Sequence, residues 1–238
     1  MLGARAIGLT AEVGRDRVMN LNGTAKTVLC FGDSNTRGQR PGEYEKGRLP
    51  ADQRWTGRLQ ALLGDRYAVI EEGLNGRTTD LDYPDRPGCN GLTYLEPCLQ
   101  SHSPLDLVVL MLGSNDLKCR FGRSAGEIAA AHGRLLDAIE REARDSADGR
   151  TRVVLVSPIH LDLTKPSYEE LTAPAFDAAS VAASHLLAAE LRHLADVCRV
   201  LFADAATVAE PGDDGLHLGL DSHQPLAELL AAVIAEAL

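Results

Sequence analysis

The chain alternates short, almost continuously apolar runs with longer segments whose apolar residues recur every three or four positions. The short runs have strand length, and their lack of polar alternation is typical of strands that are covered on both faces of a parallel sheet. They are residues 27–32, 67–71, 106–112, 152–156 and 199–203. This pattern predicts five parallel strands buried between helices.

Four segments between or after these runs have the period of an amphipathic helix. They are residues 52–64, 124–145, 174–198 and 222–238. In the first, Trp55 and Leu59 fall on one apolar stripe before Gly64, a residue type that often ends helices. In the second, Ser124 precedes Glu127 by three residues, which is the spacing of a capping box. Both signals support helices at these positions.

Strands and helices alternate along the chain, which predicts right-handed crossovers and a doubly wound α/β fold. We expect a flavodoxin-like, three-layer α/β/α architecture whose five-stranded parallel sheet has the order 2-1-3-4-5. The 238 residues fit a single domain over 26–238 with an N-terminal extension over 1–25. Long loops fall at 35–51, 77–91 and 157–173. In this architecture ligands bind at the carboxyl ends of the strands.

Charge and hydropathy narrow the classes of partner. The chain has 34 acidic residues against 24 basic ones, which gives a formal net charge of −10. Such a surface repels the phosphates of nucleic acids and of anionic lipids, so we expect no nucleic acid and no membrane as a partner. No stretch approaches the ~20 apolar residues of a membrane span, and the N-terminus lacks the apolar region of a signal peptide.

Five cysteines are scattered along the chain, and no two have the C-x-x-C spacing. An odd number without that spacing argues against a disulfide framework and against structural zinc. No cluster of His, Asp or Glu has metal-ligand spacing, so we expect no metal and no cofactor. Cys30 and Cys198 lie in or beside apolar runs and are expected in the core. A reducing cytoplasm is the simplest compartment for such a chain.

Polar residues cluster where four of the predicted strands end. The clusters are Gly32-Asp33-Ser34-Asn35, residues 73–79 (GLNGRTT), residues 113–116 (GSND) and residues 213–223 (DDGLHLGLDSH). Because the carboxyl ends of parallel strands meet at one edge of the sheet, we expect these clusters to lie close together.

A serine nucleophile needs a base within hydrogen-bond reach, and the base needs an acceptor that fixes its tautomer. Ser34 is the candidate nucleophile, His217 the base and Asp214 the orienting carboxylate, with Asp213 as a rival to Asp214. Ser34 taken alone is better interpreted as a cap of the helix that follows it, and the presence of the other three clusters reverses this in favour of the nucleophile. The other histidines, expected at the surface, are His102, His132, His160, His185, His193 and His223.

Acyl transfer also requires hydrogen-bond donors where the oxyanion forms. The backbone N–H groups of Ser34 and Gly76 and the side-chain amide of Asn115 are the candidates. Gly76 suits this role because a residue without Cβ lets a substrate approach the backbone. Asn75, beside Gly76, is a candidate substrate contact.

The segments GDSN, GLNGRTT, GSND and DGLH, in this order, resemble the four sequence blocks of the SGNH (GDSL-type) hydrolases. The resemblance covers residues 27–238 and places the family's Ser, Gly, Asn and His at Ser34, Gly76, Asn115 and His217. RWTGRL, VIEEGLNGRTT and LDLVVLMLGSNDLK look closer still to the bacterial arylesterase/acyltransferase branch.

Two residues depart from that resemblance. Asn35 stands where leucine is usual, and Arg37 stands where the best-known acyltransferase-like member has tryptophan. Both positions line the approach to Ser34, so Asn35 and Arg37 are expected to contact substrate and to alter the preferred acyl group or alcohol.

The resemblance implies a metal-independent serine esterase that hydrolyses short-chain acyl esters through an acyl-enzyme and can transfer the acyl group to alcohols. A carbohydrate O-acetylesterase and a thioesterase are the alternatives that use the same site. A non-catalytic binding module for a small anion is the alternative from another class, although no G-x-G-x-x-G or P-loop motif supports it. The resemblance also implies a homo-oligomer, with the extension and the loops at 35–51 and 157–173 as candidate contacts.

Overall fold

The computed structural model describes residue 20 and residues 22–142 and 151–238. Its five parallel strands have the order β2-β1-β3-β4-β5, as the sequence predicts. They are β1 (Lys26–Gly32), β2 (Tyr67–Gly73), β3 (Leu107–Met111), β4 (Arg152–Ser157) and β5 (Leu201–Asp204). The flavodoxin-like fold is therefore confirmed. Most of the extension predicted over 1–25 lies outside the described residues.

Seven helices occur in the described ranges. They are α1 (Ser34–Arg37), α2 (Trp55–Leu63), α3 (Gly91–His102), α4 (Ala125–Glu142), α5 (Tyr168–Leu171), α6 (Ala178–Cys198) and α7 (His223–Ala237). The four predicted helices are confirmed as α2, α4, α6 and α7, although the end predicted for α4, up to residue 145, lies outside the described residues.

Two differences from the predicted helices have local causes. The helix α6 begins at Ala178 rather than at 174, because the Asp177 side chain accepts the Ser180 N–H and closes a capping box. The helix α3 was not predicted, since Pro97 interrupts its pattern; the Asn90 side chain nevertheless caps it by accepting the Thr93 N–H.

Apolar side chains of the sheet alternate between two cores. In β1, Leu29 and Phe31 point into one cluster, and Val28 and Cys30 point into the other. The first cluster is covered by α3, α4 and α6, and the second by α2 and α7. Burial on both faces explains why the strands are continuously apolar. The three-layer arrangement leaves the strand ends as the place for polar chemistry.

The carboxyl ends of the three neighbouring strands β2, β1 and β3 are in register. Gly32 pairs with Gly73 of β2 and with Met111 of β3, so the segments that follow these strands leave the sheet side by side. A Cβ on Gly32 would lie 2.0 Å from Thr36 Oγ1, so only glycine permits α1 to start directly over the strand end.

All five cysteines are free. Cys30 is buried as expected, but the prediction that Cys198 is a core residue is wrong, because the last turn of α6 leaves it exposed. Within the described ranges, no helix combines the length and apolar character needed to cross a membrane.

Candidate active site

Ser34 lies at the first turn of α1, directly beyond the end of β1, and is 5% exposed. The residue that caps this helix is Asp33, whose carboxylate accepts the Asn35 N–H at 2.9 Å. The Ser34 hydroxyl is thus not needed as a cap. Its Oγ lies 3.0 Å from His217 Nε2.

On the opposite edge of the His217 ring, Nδ1 is hydrogen-bonded to Asp214. The distance from Nδ1 to Asp214 Oδ2 is 2.7 Å. The second carboxylate oxygen, Oδ1, accepts the backbone N–H groups of Leu216 at 3.0 Å and of His217 at 2.9 Å. Asp213, the rival in the sequence, is exposed and is not bonded to the ring. The structure therefore brings Ser34, His217 and Asp214 into one line of hydrogen bonds.

Asp214 is fully buried, and the charge on its carboxylate is nevertheless favoured. Burial acts to raise its pKa, but hydrogen bonds from the His217 ring and from the backbone N–H groups more than offset this, so the pKa lies below its usual range. An ionised carboxylate at Nδ1 holds the imidazole with its proton on that nitrogen. Nε2 is then free to accept the Ser34 proton.

Two donors from the loop at 35–51 also reach Asp214. The Gly42 N–H donates to Oδ2 at 3.1 Å and the Tyr44 hydroxyl donates at 3.2 Å. The Tyr44 ring also meets the His217 ring edge to face, with centroids 5.5 Å apart. Burial and the nearby Asp214 raise the pKa of Tyr44, which keeps the hydroxyl a donor. Sequence reasoning missed Tyr44, because an aromatic residue in a long loop carries no spacing signal.

The loop at 157–173 braces the same segment from another side. Thr172 Oγ1 donates to the Asp214 carbonyl at 2.6 Å, and the Ser167 N–H donates to the Asp213 carbonyl at 2.8 Å. Gly215, with φ of 71°, packs under this loop; a Cβ there would lie 2.2 Å from the Asp162 carbonyl oxygen. Both long loops therefore hold the segment that carries Asp214 and His217.

The predicted oxyanion donors belong to three segments that are linked by hydrogen bonds. Asn115 Nδ2 donates to the carboxylate of Asp33 at 3.3 Å and to the Arg77 carbonyl at 3.2 Å. Asp33 precedes Ser34 and Arg77 follows Gly76, so the Asn115 side chain ties the two backbone donors to the same edge. Both contacts are long and are suited to exchange for a stronger acceptor.

Gly76 adopts a φ of 82°, a left-handed conformation that favours glycine. The guanidinium of Arg86 covers its Cα, and a Cβ would lie 2.3 Å from Arg86 Nη1. Arg86 is held there by a hydrogen bond from Nη2 to the Asn75 carbonyl at 2.6 Å. The backbone of Gly76 is thus fixed by conformation and by its neighbour.

Arg37 and Asn75, both predicted substrate contacts, meet at Gln39. Gln39 Oε1 accepts from Asn75 Nδ2 at 2.8 Å and from Arg37 Nη1 at 3.2 Å. Asn75 Oδ1 is buried without a partner among the described residues. Asn75 precedes Gly76 in the chain, so this cluster is attached directly to the segment of the predicted oxyanion donor.

Asn35, the third predicted substrate contact, is 3% exposed, and both ends of its amide are bonded to protein backbone. Oδ1 accepts the Leu218 N–H at 2.8 Å, and Nδ2 donates to the Leu216 carbonyl at 3.4 Å. This geometry favours a role inside the protein over the predicted substrate contact.

One group in the described residues has the donors of a metal site. Glu72 of β2 and Cys98 and His102 of α3 offer ligand atoms within 4.8 Å of one another. Burial and the Glu72 charge raise the pKa of Cys98 to about 12, although Arg77 acts against this, so the thiol is favoured over the thiolate that a metal needs. Glu72 already binds the His102 ring at 2.9 Å. This arrangement is that of a hydrogen-bonded cluster.

Two histidines that were expected at the surface are buried. Burial lowers the pKa of His132 and of His223 to about 4. The Trp55 N–H donates to His223 Nδ1 at 3.1 Å, and His132 Nδ1 lies 2.9 Å from the Ile128 carbonyl oxygen. The surface prediction is wrong for these two residues, because each has a backbone partner that satisfies one ring nitrogen.

Comparisons with known proteins cover most of the chain. The model of the GDSL-like Lipase/Acylhydrolase family matches residues 30–224. Est24, a carbohydrate acetylesterase from Sinorhizobium meliloti, is 38% identical over 90% of this chain and 100% of its own, with a TM-score of 0.81. The aryl esterase of M. smegmatis is 36% identical over 90% of this chain and 100% of its own, with a TM-score of 0.80. No curated protein matches.

Proposed function

The chain belongs to the GDSL-like lipase/acylhydrolase family and is a carboxylic ester hydrolase, and from this premise we propose that it cleaves short-chain acyl esters with Ser34 as nucleophile. The observation that carries the proposal is the line from Ser34 Oγ to His217 Nε2 at 3.0 Å and from His217 Nδ1 to Asp214 Oδ2 at 2.7 Å. This is the geometry in which a base can remove the serine proton while a carboxylate holds the ring.

The reaction follows from these positions. Ser34 Oγ attacks the ester carbonyl while its proton passes to His217 Nε2, and the carbonyl oxygen becomes an oxyanion. When this intermediate collapses, the bond to the alcohol oxygen breaks and His217 gives that oxygen its proton, which leaves an acyl group on Ser34. Water then attacks the acyl carbonyl while His217 Nε2 takes a proton from it. The bond between the acyl carbon and Ser34 Oγ breaks, His217 returns the proton to Oγ, and the carboxylic acid leaves. An alcohol in place of water gives acyl transfer.

The oxyanion is stabilised by the N–H groups of Ser34 and Gly76 and by the Asn115 amide. The two long contacts of Asn115, at 3.3 Å and 3.2 Å, leave its amide able to turn toward a developing charge. The backbone N–H groups of Ser34 and Gly76 are fixed before the reaction and need no reorganisation when the charge appears, whereas the Asn115 amide gives up one long hydrogen bond to reach the oxyanion. Asp214 remains ionised throughout and stabilises the imidazolium that forms.

Polar groups beside Gly76 support a short acyl group. The guanidinium of Arg86 lies over this glycine, and the neighbouring Asn75 is bonded to Gln39, which also binds Arg37, so polar side chains come together in this part of the site. Acetyl esters of phenols and of carbohydrates are both substrates of this kind, and relatives of both types are similar to the chain. A thioesterase activity has no observation in its favour beyond the shared site.

The direct test replaces Ser34 with alanine and measures p-nitrophenyl acetate turnover. We expect Ser34→Ala to keep the fold and to lose several orders of magnitude in kcat/KM, on the order of 10⁴ or more. Ser101→Ala, which changes an exposed serine of α3, is the matched control and should match the wild type. Undiminished turnover in Ser34→Ala would contradict the assignment of Ser34 as nucleophile, whereas absent turnover in the wild type would favour a binding module.

Substrate class and acyl transfer need separate measurements. A comparison of kcat/KM for aryl acetates, acetylated sugars and acyl thioesters ranks the candidates. Product analysis in water with added alcohol shows the fraction of acyl groups transferred. A preference for thioesters over all oxygen esters would contradict the proposed substrate class.

Self-association remains a prediction with a simple test. Tyr44 in the loop at 35–51 and Leu163 in the loop at 157–173 are exposed hydrophobic residues. We propose these loops as contacts between copies of the chain. Light scattering at micromolar concentration should report more than one copy, and a monomer would remove this part without touching the chemistry.

A further inference from the structure

Asn35 connects the nucleophile's helix to the loop that carries the base. It follows Ser34 in α1, and its amide bridges the two residues on either side of His217. Oδ1 accepts the Leu218 N–H at 2.8 Å and Nδ2 donates to the Leu216 carbonyl at 3.4 Å. The residue is separated from this loop by more than 180 positions in sequence, so the contact is purely tertiary.

The partners fix which way the amide faces. One neighbour is an N–H and needs an acceptor, and the other is a carbonyl and needs a donor. Among side chains of this size, only an amide carries a neutral donor and an acceptor on two separate atoms. A rotated amide would set donor against donor and acceptor against acceptor.

The backbone of Asn35 is held as firmly as its side chain. Its N–H donates to Asp33 Oδ1 at 2.9 Å, and its carbonyl accepts from Trp55 Nε1 at 3.1 Å. Trp55 is fully buried and anchors α2. The amide therefore extends from a fixed backbone, and its hydrogen bonds constrain the position of the His217 loop.

We infer that Asn35 is a positioning residue that sets the place of the His217 ring relative to the Ser34 hydroxyl. This inference rests on the proposed function, because it concerns the same nucleophile and base. The ring is bound at Nδ1 by Asp214, but Asp214 lies on the same short loop as His217. Bonds within the loop cannot fix its distance from Ser34, whereas the Asn35 amide spans that distance.

The expected effect is on the rate of the chemical steps. A displacement of about 1 Å in a reacting group can cost ~10² in rate. Substrate binding does not depend on the Asn35 amide if both of its ends are bonded to the loop. Loss of the amide should therefore lower kcat and leave KM nearly unchanged.

The first experiment compares Asn35→Leu with the wild type by steady-state kinetics on p-nitrophenyl acetate. Leucine has the same branched skeleton of heavy atoms and offers neither donor nor acceptor. We expect kcat to fall by about tenfold or more, with KM within about twofold. A raised KM with an unchanged kcat would instead show that Asn35 contacts substrate. Unchanged values of both kcat and KM would show that Asn35 has no role in the reaction. Either result contradicts the inference.

The second experiment repeats Asn35→Leu in a His217→Ala background, measured with enzyme in excess over substrate. A residue that acts through His217 has no effect once the ring is gone, so the two changes should not be additive. An equal fold loss in both backgrounds would contradict the inference, because Asn35 would then act independently of the base.

The variant Asn35→Asp keeps the test decisive if the leucine variant does not fold. Its carboxylate retains the acceptor for the Leu218 N–H, loses the donor to Leu216 and places a negative charge beside the His217 loop. We expect kcat to fall with KM within about twofold, because the bond from the amide to the Leu216 carbonyl is lost. An unchanged kcat would contradict the inference. Emission from Trp55, the single tryptophan, checks that the local fold is kept.

An inactive wild-type protein would count against the proposed function itself. An active wild type whose Asn35→Leu variant behaves identically would count against Asn35 alone. The two failures are therefore distinguishable.

Discussion

The hydroxyl of Tyr44 donates a 3.2 Å hydrogen bond to the oxygen of Asp214 that also faces His217 Nδ1. The loop at 35–51 thereby takes part in holding the buried carboxylate. With the Gly42 N–H and the His217 ring, three donors converge on this one oxygen. This relationship makes Tyr44 part of the support for the Asp214–His217 pair.

Replacement of Tyr44 by phenylalanine should reduce activity modestly. The ring that contacts His217 is kept, but one donor to Asp214 is lost, and a single such hydrogen bond contributes on the order of 1 kcal/mol. We expect kcat/KM to fall about fivefold and the acid limb of its pH profile to move to higher pH, because a less neutralised carboxylate favours the imidazolium.

Tyr94→Phe is the matched control for that change. The Tyr94 hydroxyl donates to Glu72 at 3.2 Å, outside the line of Ser34, His217 and Asp214. Its variant should keep both the rate and the profile of the wild type. Identical rates and pH profiles in Tyr44→Phe and Tyr94→Phe would contradict the role of Tyr44 in supporting Asp214.

Asp214→Asn should be far more damaging than the same change one residue earlier. An amide at this position presents a donor where the ring needs an acceptor, which favours the wrong tautomer, and such a change can cost ~10⁴ in kcat. Asp213 is exposed, and its side chain is not bonded to His217, so Asp213→Asn should match the wild type. Steady-state kinetics of the pair measures the difference. Equal losses would show that the assignment of the carboxylate is wrong.

Asn115→Ala should lower kcat by ~10²–10³, the usual effect of removing one oxyanion donor. The same amide links Asp33 to the Arg77 carbonyl, so thermal unfolding must be measured beside the kinetics. A loss of rate with a small change in the midpoint of unfolding supports the oxyanion role. Loss of stability with full specific activity in the folded fraction would assign Asn115 to structure alone.

His132 and His223 should make the fold sensitive to mild acid. Burial lowers the pKa of each to about 4, below the value of about 6.5 that an unfolded chain shows. Between these two values the unfolded state binds more protons, so their contribution to stability is complete above about pH 6.5 and is lost as the pH falls toward 4.

The measurement is the free energy of unfolding by denaturant across that range of pH. His223→Gln keeps an acceptor side chain for the Trp55 N–H and cannot titrate, so its stability should fall less steeply than that of the wild type. His193→Gln, which changes a histidine on the exposed side of α6, should keep the wild-type slope. Equal slopes in all three proteins would contradict this explanation.

The sequence predicts the sheet and its order because continuous apolar runs such as 106–112 are typical of parallel strands that are buried on both faces. It also predicts that Ser34, His217 and Asp214 converge, since strand ends share one edge in this fold. Each of these inferences depends on residue type and chain position, which the sequence contains.

The remaining features depend on tertiary partners that are remote in sequence. The sequence predicts that Asn35 lies on the approach to Ser34, but its amide is bonded to the backbone of Leu216 and Leu218, on either side of His217. Tyr44 lies in a loop without periodicity, and its role exists only because Asp214 comes within reach. His132 and His223 are buried because a backbone group satisfies one ring nitrogen of each, which no local pattern indicates.

Covalent labelling by a fluorophosphonate tests the central claim most directly, because only a serine activated by a base reacts readily with such a reagent. The account predicts stoichiometric labelling on the peptide that contains Ser34, with a rate that falls by orders of magnitude in His217→Ala. Labelling at another serine, or an unchanged rate at Ser34 without the imidazole, would contradict it.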